Sequence, residues 1–342
     1  MKPPRVAVFG TGYWAQFQIA AWQAEGAGIV AVWNRTRGRA EQTAARFGIP
    51  RVFDTPREVF EWGGFDIADI IADVGAHEQL VLLAAEYGKD VICQKPMSSD
   101  LGSCERMVEA CKQAGVWYAV HENFRYQPQI IKTAEALRSG VIGRPLQAHL
   151  QLRSPDRGLM EKQPALKVMD HMALRDMGPH IFDVARLLFG EAKSVYSRPV
   201  RCYPDIPVDD AAKSLLTMQS GLVLSCDLAH TFPYKLFVEG ERGALTLGAD
   251  NTVTVTADGV TRMLDVGEWP ALDYIPPDDW ALHGWFVFTA IPLCLRSLMA
   301  RRAQGLPAET SGEDNLKTMR LLFAAMESQD HGNAEIITQN AE

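Results

Sequence analysis

The first 123 residues alternate short apolar segments with longer amphipathic ones, and this alternation constrains the fold more than any other feature. The apolar segments "RVAVFG", "GIVAVWN", "IADIIADV", "DVICQKP" and "VWYAVHENF" are predicted strands. The segments between them, such as "AQFQIAAWQAEG" and "LGSCERMVEACKQAG", have helical periodicity. Strands that alternate with helices of this length indicate a parallel sheet covered on both faces. We therefore predict a doubly wound α/β domain of the nucleotide-binding type over residues 1–123.

The pattern changes at about Gln147, where polar and apolar residues alternate over longer stretches. The segments "LQAHLQLRS", "AAKSLLTMQSGLVLSCDLAH" and "KLFVEGERGALTLGADNTVTVTADG" indicate hairpins with glycine turns. We predict a second domain over residues 124–342, of the α+β class with a largely antiparallel open sheet. In the last helix, Ser311 and Asp314 form a predicted capping box, and Leu316, Met319, Leu322, Phe323 and Met326 form the core-facing stripe.

Composition narrows the class of protein. With 342 residues, 47% hydrophobic and 22% charged, the chain is long enough for two domains with their own cores. A formal charge of -8 offers no positive field for phosphate backbones, so nucleic acid is not an expected partner. Six cysteines without CxxC spacing and an N-terminus unlike a signal peptide predict a cytoplasmic protein. The apolar stretch "WFVFTAIPLCL" is shorter than the roughly 20 residues of a membrane span, so no membrane association is expected.

The first chemical motif is "VAVFGTGYWA", a strand that runs into Gly10-Thr11-Gly12-Tyr13-Trp14 and a helix. Gly10 permits the tight turn, and Gly12 lets the backbone approach a pyrophosphate. The start of the helix offers N–H groups to the phosphates. The motif predicts a dinucleotide site that includes Tyr13 and Trp14.

The end of the second strand predicts which dinucleotide binds. NAD-binding domains place an acid there for the ribose 2′-hydroxyl, but this chain has Asn34, followed by Arg35. Arginine forks bind phosphate bidentately, and a 2′-phosphate would lie at this point. NADP is therefore the preferred cofactor and NAD the alternative. Arg37 and Arg39 are more typical of a solvated helix start.

Lys95 ends the strand "DVICQKP", and the carboxyl ends of parallel strands face the ligand crevice, so we expect Lys95 to face the cofactor. Pro96 cannot continue the strand, so the chain turns there. A lysine in the crevice donates a hydrogen bond to a substrate hydroxyl and, with a lowered pKa, shares in removing its proton.

A second polar cluster lies in "HMALRDMGPHIFDVARLLFG". Asp176 and His180 share a helix face if the helix is continuous, whereas Pro179 could instead be its first residue. A carboxylate beside an imidazole suits a base near neutral pH. A metal site of Asp170, His171, Asp176 and His180 is an alternative, but their spacing matches no HExxH or tetrahedral pattern, so no metal is predicted.

The ordered set "GTGYWA", "QKP", "NFRYQP", "DMGPH" and "AETSGEDNLKTMRLLFAAMESQDHG" resembles the glucose-fructose oxidoreductase, inositol dehydrogenase and rhizopine-catabolism family, Gfo/Idh/MocA. The resemblance covers nearly the whole chain. It implies a Rossmann domain, a second domain whose sheet often forms homodimers or homotetramers, and NAD(P)-linked oxidation or reduction of sugars, sugar acids or cyclitols. A nicotinamide-dependent glycoside hydrolase and a catalytically silent sugar sensor are the alternatives.

The same resemblance implies roles for single residues. His180 takes the hydroxyl proton as hydride leaves, Lys95 polarises the oxygen, and Asp176 holds the cluster in position. Asn123 lies at the nicotinamide end of the cofactor site. The chain departs from the family at Gln94, where a glutamate is usual. Gln94 is a candidate cofactor contact. The chain also lacks the usual Thr-Pro after the third strand, and Asp73 and His77, which occupy that region, either contact the cofactor or fill the edge of the crevice.

Four further residues are predicted to line the substrate pocket. The polar segment 153–172 precedes the catalytic helix and contributes Arg153 and Lys167, whose charges suit a carboxylate or several hydroxyls. The segment "PPDDWALHGW" contributes Trp280 and His283 as a second wall, because sugar rings pack on aromatic faces.

Overall fold

The computed structural model describes residues 3–153, 160, 163–229, 235–268, 285–332 and 334–338. Within this part of the chain, contacts group residues 3–123 and 291–319 into one compact unit and the other residues into a second. The sequence placed 291–319 in the second domain, whereas their contacts group them with the first unit. The division into domains 1–123 and 124–342 stays a prediction.

The first unit contains a parallel sheet of five strands among its described residues, in the order β2-β1-β3-β4-β5. The strands β1 to β5 are Arg5–Phe9, Gly28–Trp33, Ile67–Ile70, Asp90–Gln94 and Tyr118–His121. The helices α1 to α5 are Ala15–Ala24, Arg37–Phe47, Pro56–Trp62, His77–Glu86 and Leu101–Ala114, and a 3₁₀ turn covers Val74–Ala76. The predicted doubly wound domain is confirmed.

Helix α3 was missed by the sequence analysis although its signal is present. Thr55 accepts a hydrogen bond from the Glu58 N–H at 3.2 Å, and the Glu58 carboxylate accepts in return from the Thr55 N–H at 3.4 Å. Pro56 occupies the first helical position, where its missing N–H is not needed. This capping box begins a seven-residue helix that is too short to show a clear apolar period.

Residues after position 305 extend the outer edge of the first sheet. Ala119 in β5 forms an antiparallel bridge with Ser311, and the Val120 N–H donates to the Thr310 carbonyl at 2.8 Å. A Cβ on Gly312 would lie 2.4 Å from Tyr118 Cδ1, so glycine is needed for this approach. These contacts explain why 291–319 group with the first unit.

Two long helices follow in the last part of the chain, α8 (Trp285–Ala303) and α9 (Gly312–Asp330). Ser311 Oγ accepts from the Asp314 N–H at 3.2 Å, which is the serine half of the predicted capping box. Four of the five residues of the predicted α9 stripe are buried and Phe323 is partly exposed. Among the described residues, no helix is both long and apolar enough to cross a membrane.

The second unit contains a nine-stranded sheet in its described residues, ordered β13-β12-β11-β10-β6-β9-β8-β7-β14. Only β6 and β9 pair in parallel among these strands. The strands β6 to β14 are Pro145–Arg153, Ala192–Val200, Ala211–Met218, Val223–Ala229, Lys235–Gly240, Gly243–Leu247, Val253–Ala257, Val260–Leu264 and Ile336–Ile337. The predicted largely antiparallel sheet of an α+β domain is confirmed.

One face of the second sheet is covered by helices. Helix α6 (Pro128–Arg138) packs on β11 and β12, and α7 (Met172–Phe189) packs on β6, β8 and β9. Short 3₁₀ turns cover Phe124–Tyr126 and Pro164–Val168. On the opposite face, one row of paired residues crosses five strands: Tyr196, Leu215, Ser225, His149 and Phe237. Tyr196, Leu215 and Phe237 are each 38–46% exposed.

Candidate active site

The glycine turn between β1 and α1 has the shape that a dinucleotide needs. Gly10 has φ +109°, and a Cβ there would lie 2.6 Å from the backbone of Ala72. A Cβ on Gly12 would meet nothing within 4 Å, so the chain is open to a ligand on that side. No side chain caps the start of α1. The turn therefore fits a pyrophosphate held by backbone N–H groups at a helix N-terminus.

Tyr13 and Trp14 lie at the start of α1 as predicted. Their rings are 5.3 Å apart at 71°, and both make edge contacts with Phe17. Both side chains are partly exposed, and their predicted contact with the cofactor stays a prediction.

Asn34 supports the glycine turn through its side chain. Its Oδ1 accepts from the Thr11 N–H at 3.2 Å, and its Nδ2 donates to the Thr36 carbonyl at 3.0 Å. Arg35 and Asp73 are both about 85% exposed, and their charged groups lie 3.4 Å apart. An arginine and a carboxylate thus stand together where the ribose end of a dinucleotide is expected.

Lys95 follows β4 directly, at the carboxyl edge of the sheet, and is partly exposed. The next residues are held by His77, whose Nδ1 lies 3.2 Å from the carbonyl oxygens of both Pro96 and Met97. His77 Nε2 lies 3.0 Å from the Ala72 carbonyl, so the ring joins the loops after β3 and β4. Burial lowers the pKa of His77, and the side chain is 1% exposed. Its predicted contact with the cofactor stays a prediction.

Gln94 belongs to a buried polar chain that the sequence analysis did not find. Its Nε2 donates to Gln18 Oε1 at 2.6 Å and lies 3.3 Å from His121 Nδ1. Gln18 Nε2 and Trp22 Nε1 each donate to Asp69 at 2.7 Å. Burial raises the pKa of Asp69 to about 7, although the two donated hydrogen bonds oppose the shift. An aspartate in the middle of the apolar strand "IADI" was the available signal.

Asn123 follows β5 and is 8% exposed. Each strand of the first sheet thus leads into a predicted cofactor residue or its neighbour: Gly10, Asn34, Asp73, Lys95 and Asn123. Parallel strands present their carboxyl ends on the same edge, where ligands of open α/β sheets bind.

In the second unit, α7 is continuous through Pro179, which decides between the two alternatives for this segment. Asp176 and His180 therefore lie one turn apart on the same helix. The His180 ring stacks on Phe124, with centroids 3.8 Å apart and planes at 17°, and is 7% exposed. Phe124, which the sequence analysis did not select, limits the orientations open to the imidazole.

A buried ion pair holds the same helix one turn further on. Arg125 binds the Asp183 carboxylate through two hydrogen bonds, one of them from Nε at 2.7 Å. Arg125 is 7% exposed and Asp183 is fully buried. This bidentate pair ties the 3₁₀ turn that carries Phe124 to α7.

The predicted pocket walls are only partly described. Lys167 is exposed in the 3₁₀ turn before α7. Arg153 ends β6, and its side chain lies outside the described residues, as do Trp280 and His283 altogether. Within the described ranges, no group of three or more His, Cys, Asp or Glu side chains has the arrangement to hold a metal.

Both parts of the chain are similar to known protein families. The model of the "Oxidoreductase family, NAD-binding Rossmann fold" matches residues 4–122, and that of the "GFO/IDH/MocA C-terminal domain" matches residues 130–246. D-apiose dehydrogenase of Rhizobium rhizogenes is 32% identical over 95% of both chains. D-apiose dehydrogenase of Paraburkholderia graminis is 34% identical over 95% of this chain and 88% of that protein.

A solved structure shares the whole fold. The oxidoreductase from Agrobacterium radiobacter, in complex with NAD+, L-tartaric acid and magnesium, superposes with a TM-score of 0.90 and is 30% identical, covering 98% of each chain. The two matched domain models together span more than half of the sequence. This chain is therefore a member of the Gfo/Idh/MocA family of NAD-binding oxidoreductases.

Proposed function

We propose that this chain is an NAD(P)-dependent dehydrogenase that oxidises a CH–OH group of a sugar, sugar acid or cyclitol, or reduces the corresponding carbonyl. The observation that carries the proposal is the set of polar residues at the carboxyl edge of the parallel sheet, beside a glycine turn that fits a dinucleotide. Likeness along the full length to D-apiose dehydrogenases supports it.

Each catalytic residue has a role that its chemistry allows. Nicotinamide, when bound, supplies the hydride acceptor. His180 takes the hydroxyl proton while the carbinol C–H bond breaks and the C=O bond forms. Lys95 donates a hydrogen bond to the oxygen, and Asp176 orients the polar groups of α7. Arg153, Lys167, Trp280 and His283 contact the hydroxyls and ring of the substrate.

The test is turnover with a defined panel of substrates. Purified protein is mixed with NAD+ or NADP+ and with D-apiose, scyllo-inositol, levoglucosan or L-tartrate, and absorbance of the reduced nicotinamide is followed. We expect turnover with at least one sugar or cyclitol. Release of a sugar from glycosides without net reduction of added cofactor would favour the hydrolase, and binding without any turnover would favour the sensor.

NADP is the proposed preferred cofactor because Arg35 is exposed at the end of β2, where no acid follows the strand. Asp73 opposes this preference, since its carboxylate repels a 2′-phosphate. Replacing Arg35 with alanine should weaken NADPH binding by about 10- to 100-fold, because a charged hydrogen bond is lost, and should change NADH binding little.

The measurement is a titration followed by nicotinamide fluorescence, after a check for cofactor that copurifies. Arg39→Ala is the matched control, because Arg39 is an exposed arginine in the first turn of α2. Equal losses for the two cofactors in Arg35→Ala would contradict the role of Arg35, as would a wild-type preference for NADH.

We also propose that the open face of the second sheet joins copies of this chain into a homodimer or homotetramer. Three of the five side chains in the row that crosses this face are exposed and apolar, on β7, β8 and β10, and they support an interface there. Leu215→Lys should weaken self-association by at least about 10-fold, because it places a charge at the most exposed apolar side chain of the row.

Sedimentation velocity over a range of concentrations measures the effect. Ile131→Lys is the control, since Ile131 is 40% exposed on α6, which covers the other face of the sheet. A monomeric wild-type protein, or a Leu215→Lys variant that associates as wild type does, would exclude this interface.

A further inference from the structure

The buried chain around Asp69 has a single consistent direction. Trp22 Nε1 and the Lys95 backbone N–H stand at its two ends, and both can only donate. Between them, Lys95 N–H donates to Gln94 Oε1 at 3.1 Å, Gln94 donates to Gln18, and Gln18 donates to Asp69. The hydrogen bonds between these two ends therefore all point toward the Asp69 carboxylate.

This direction depends on Asp69 being an acceptor. An ionised carboxylate accepts only, so the Gln18 amide must turn its NH₂ toward Asp69 and its oxygen toward Gln94. Gln94 must then turn its NH₂ toward Gln18, which leaves its oxygen for the Lys95 N–H. Gln18 is 51 positions from Asp69 and 76 positions from Gln94 in the sequence, so only the folded structure brings these side chains together.

The row of hydrogen bonds has a branch that ends at His121 in β5. The second hydrogen of Gln94 Nε2 points to His121 Nδ1 at 3.3 Å. A neutral imidazole that accepts at Nδ1 carries its proton on Nε2. His121 is 1% exposed and lies two residues before Asn123, so its tautomer is set next to the proposed nicotinamide end of the site.

We infer that Asp69 is a positioning residue, which directs Gln18 and Gln94 and thereby holds the Lys95 backbone and the His121 tautomer at the carboxyl edge of the sheet. This inference rests on the proposed function for its effect on turnover. It also accounts for Gln94, where the family usually has a glutamate. In this protein the carboxylate is that of Asp69, and the Gln18 amide connects it through hydrogen bonds to Gln94 at the end of β4.

Exchanging the carboxylate at position 69 with the amide at position 94 tests the inference. In Asp69→Asn the new amide must donate to Gln18, so Gln18 and Gln94 turn over and the Gln94 NH₂ faces the Lys95 N–H. We expect kcat to fall by roughly 10- to 100-fold, because Lys95 shifts relative to the substrate. In the double variant Asp69→Asn/Gln94→Glu, the carboxylate at position 94 accepts from Lys95 again, and most of the lost kcat should return.

Asp66→Asn is the matched control, because Asp66 directly precedes β3 and pairs with Arg5, outside the buried chain. Its kcat should stay near the wild-type value. A kcat of Asp69→Asn within about twofold of wild type would overturn the inference. So would a double variant that is no faster than Asp69→Asn.

A spectroscopic measurement tests the direction of these hydrogen bonds without any substrate. With ¹⁵N-labelled histidine at about pH 8.5, above the pKa of about 7 to which burial raises Asp69, the His121 proton should reside on Nε2 in the wild type. It should reside on Nδ1 in Asp69→Asn and in the double variant. A wild-type proton on Nδ1 would overturn the inference even if a variant fails to fold.

The two readouts separate this inference from the proposed function. If the wild type oxidises no substrate of the panel, the dehydrogenase assignment fails, and the His121 tautomer alone decides whether Asp69 directs the chain. If the wild type turns over a substrate and the His121 proton stays on Nε2 in Asp69→Asn, the proposed function is supported and the inferred role of Asp69 is refuted.

Discussion

Replacing Lys95 with alanine is expected to lower kcat by about 10²- to 10⁴-fold while the affinity for the nicotinamide cofactor changes little. In the proposed mechanism the ammonium group polarises the reacting oxygen, so its loss removes an interaction that grows as the substrate approaches the transition state. The proposed pyrophosphate site, by contrast, consists of backbone N–H groups of the glycine turn, which the substitution does not touch.

The measurement combines kcat under saturating substrate with a fluorescence titration of NADPH and NADH. Lys112→Ala, an exposed lysine near the end of α5, is the control and should behave as wild type. Unchanged turnover in Lys95→Ala would refute the central assignment of the site. If Lys95→Ala loses both cofactor binding and turnover, Lys95 instead has a role in binding the dinucleotide.

Replacing Arg125 with methionine should lower the free energy of unfolding of the second unit by about 3–5 kcal/mol. The substitution leaves Asp183, which is fully buried, without the guanidinium that neutralises it. The helix that carries Asp176 and His180 loses its bidentate anchor, so turnover should fall as well.

Urea unfolding followed by circular dichroism measures the effect. Arg144→Met is the matched control, because the Arg144 side chain also forms two hydrogen bonds to a carboxylate, that of Glu241, but at an exposed site. Exposed pairs contribute about 0–1 kcal/mol, so the control should lose little stability. Adding Asp183→Asn to Arg125→Met should restore part of the loss, and equal losses for the buried and exposed pairs would contradict the argument.

Most elements of the fold could be predicted from the sequence, and the exceptions have local causes. The strands of the first sheet were predictable because each is a short apolar run bounded by turn residues, and the glycine turn was predictable because its motif follows a strand and begins a helix. Helix α3 was missed because seven residues give too few turns for a period. Pro179 left two alternatives, since a proline either begins a helix or interrupts one, and neighbouring packing decides which.

Within the candidate site, the sequence by itself determined which side chains follow the strand ends. Gly10, Asn34, Lys95 and Asn123 follow strands that local apolar runs predict, and the alternation with helices predicts the parallel sheet in which those strand ends share one edge. The tertiary structure decided which groups meet from distant positions: Asp69 with Gln18 and Gln94, and Arg125 with Asp183. A buried polar group needs a partner, but its identity depends on the packing of helices and strands far apart in the chain, and no local pattern records it.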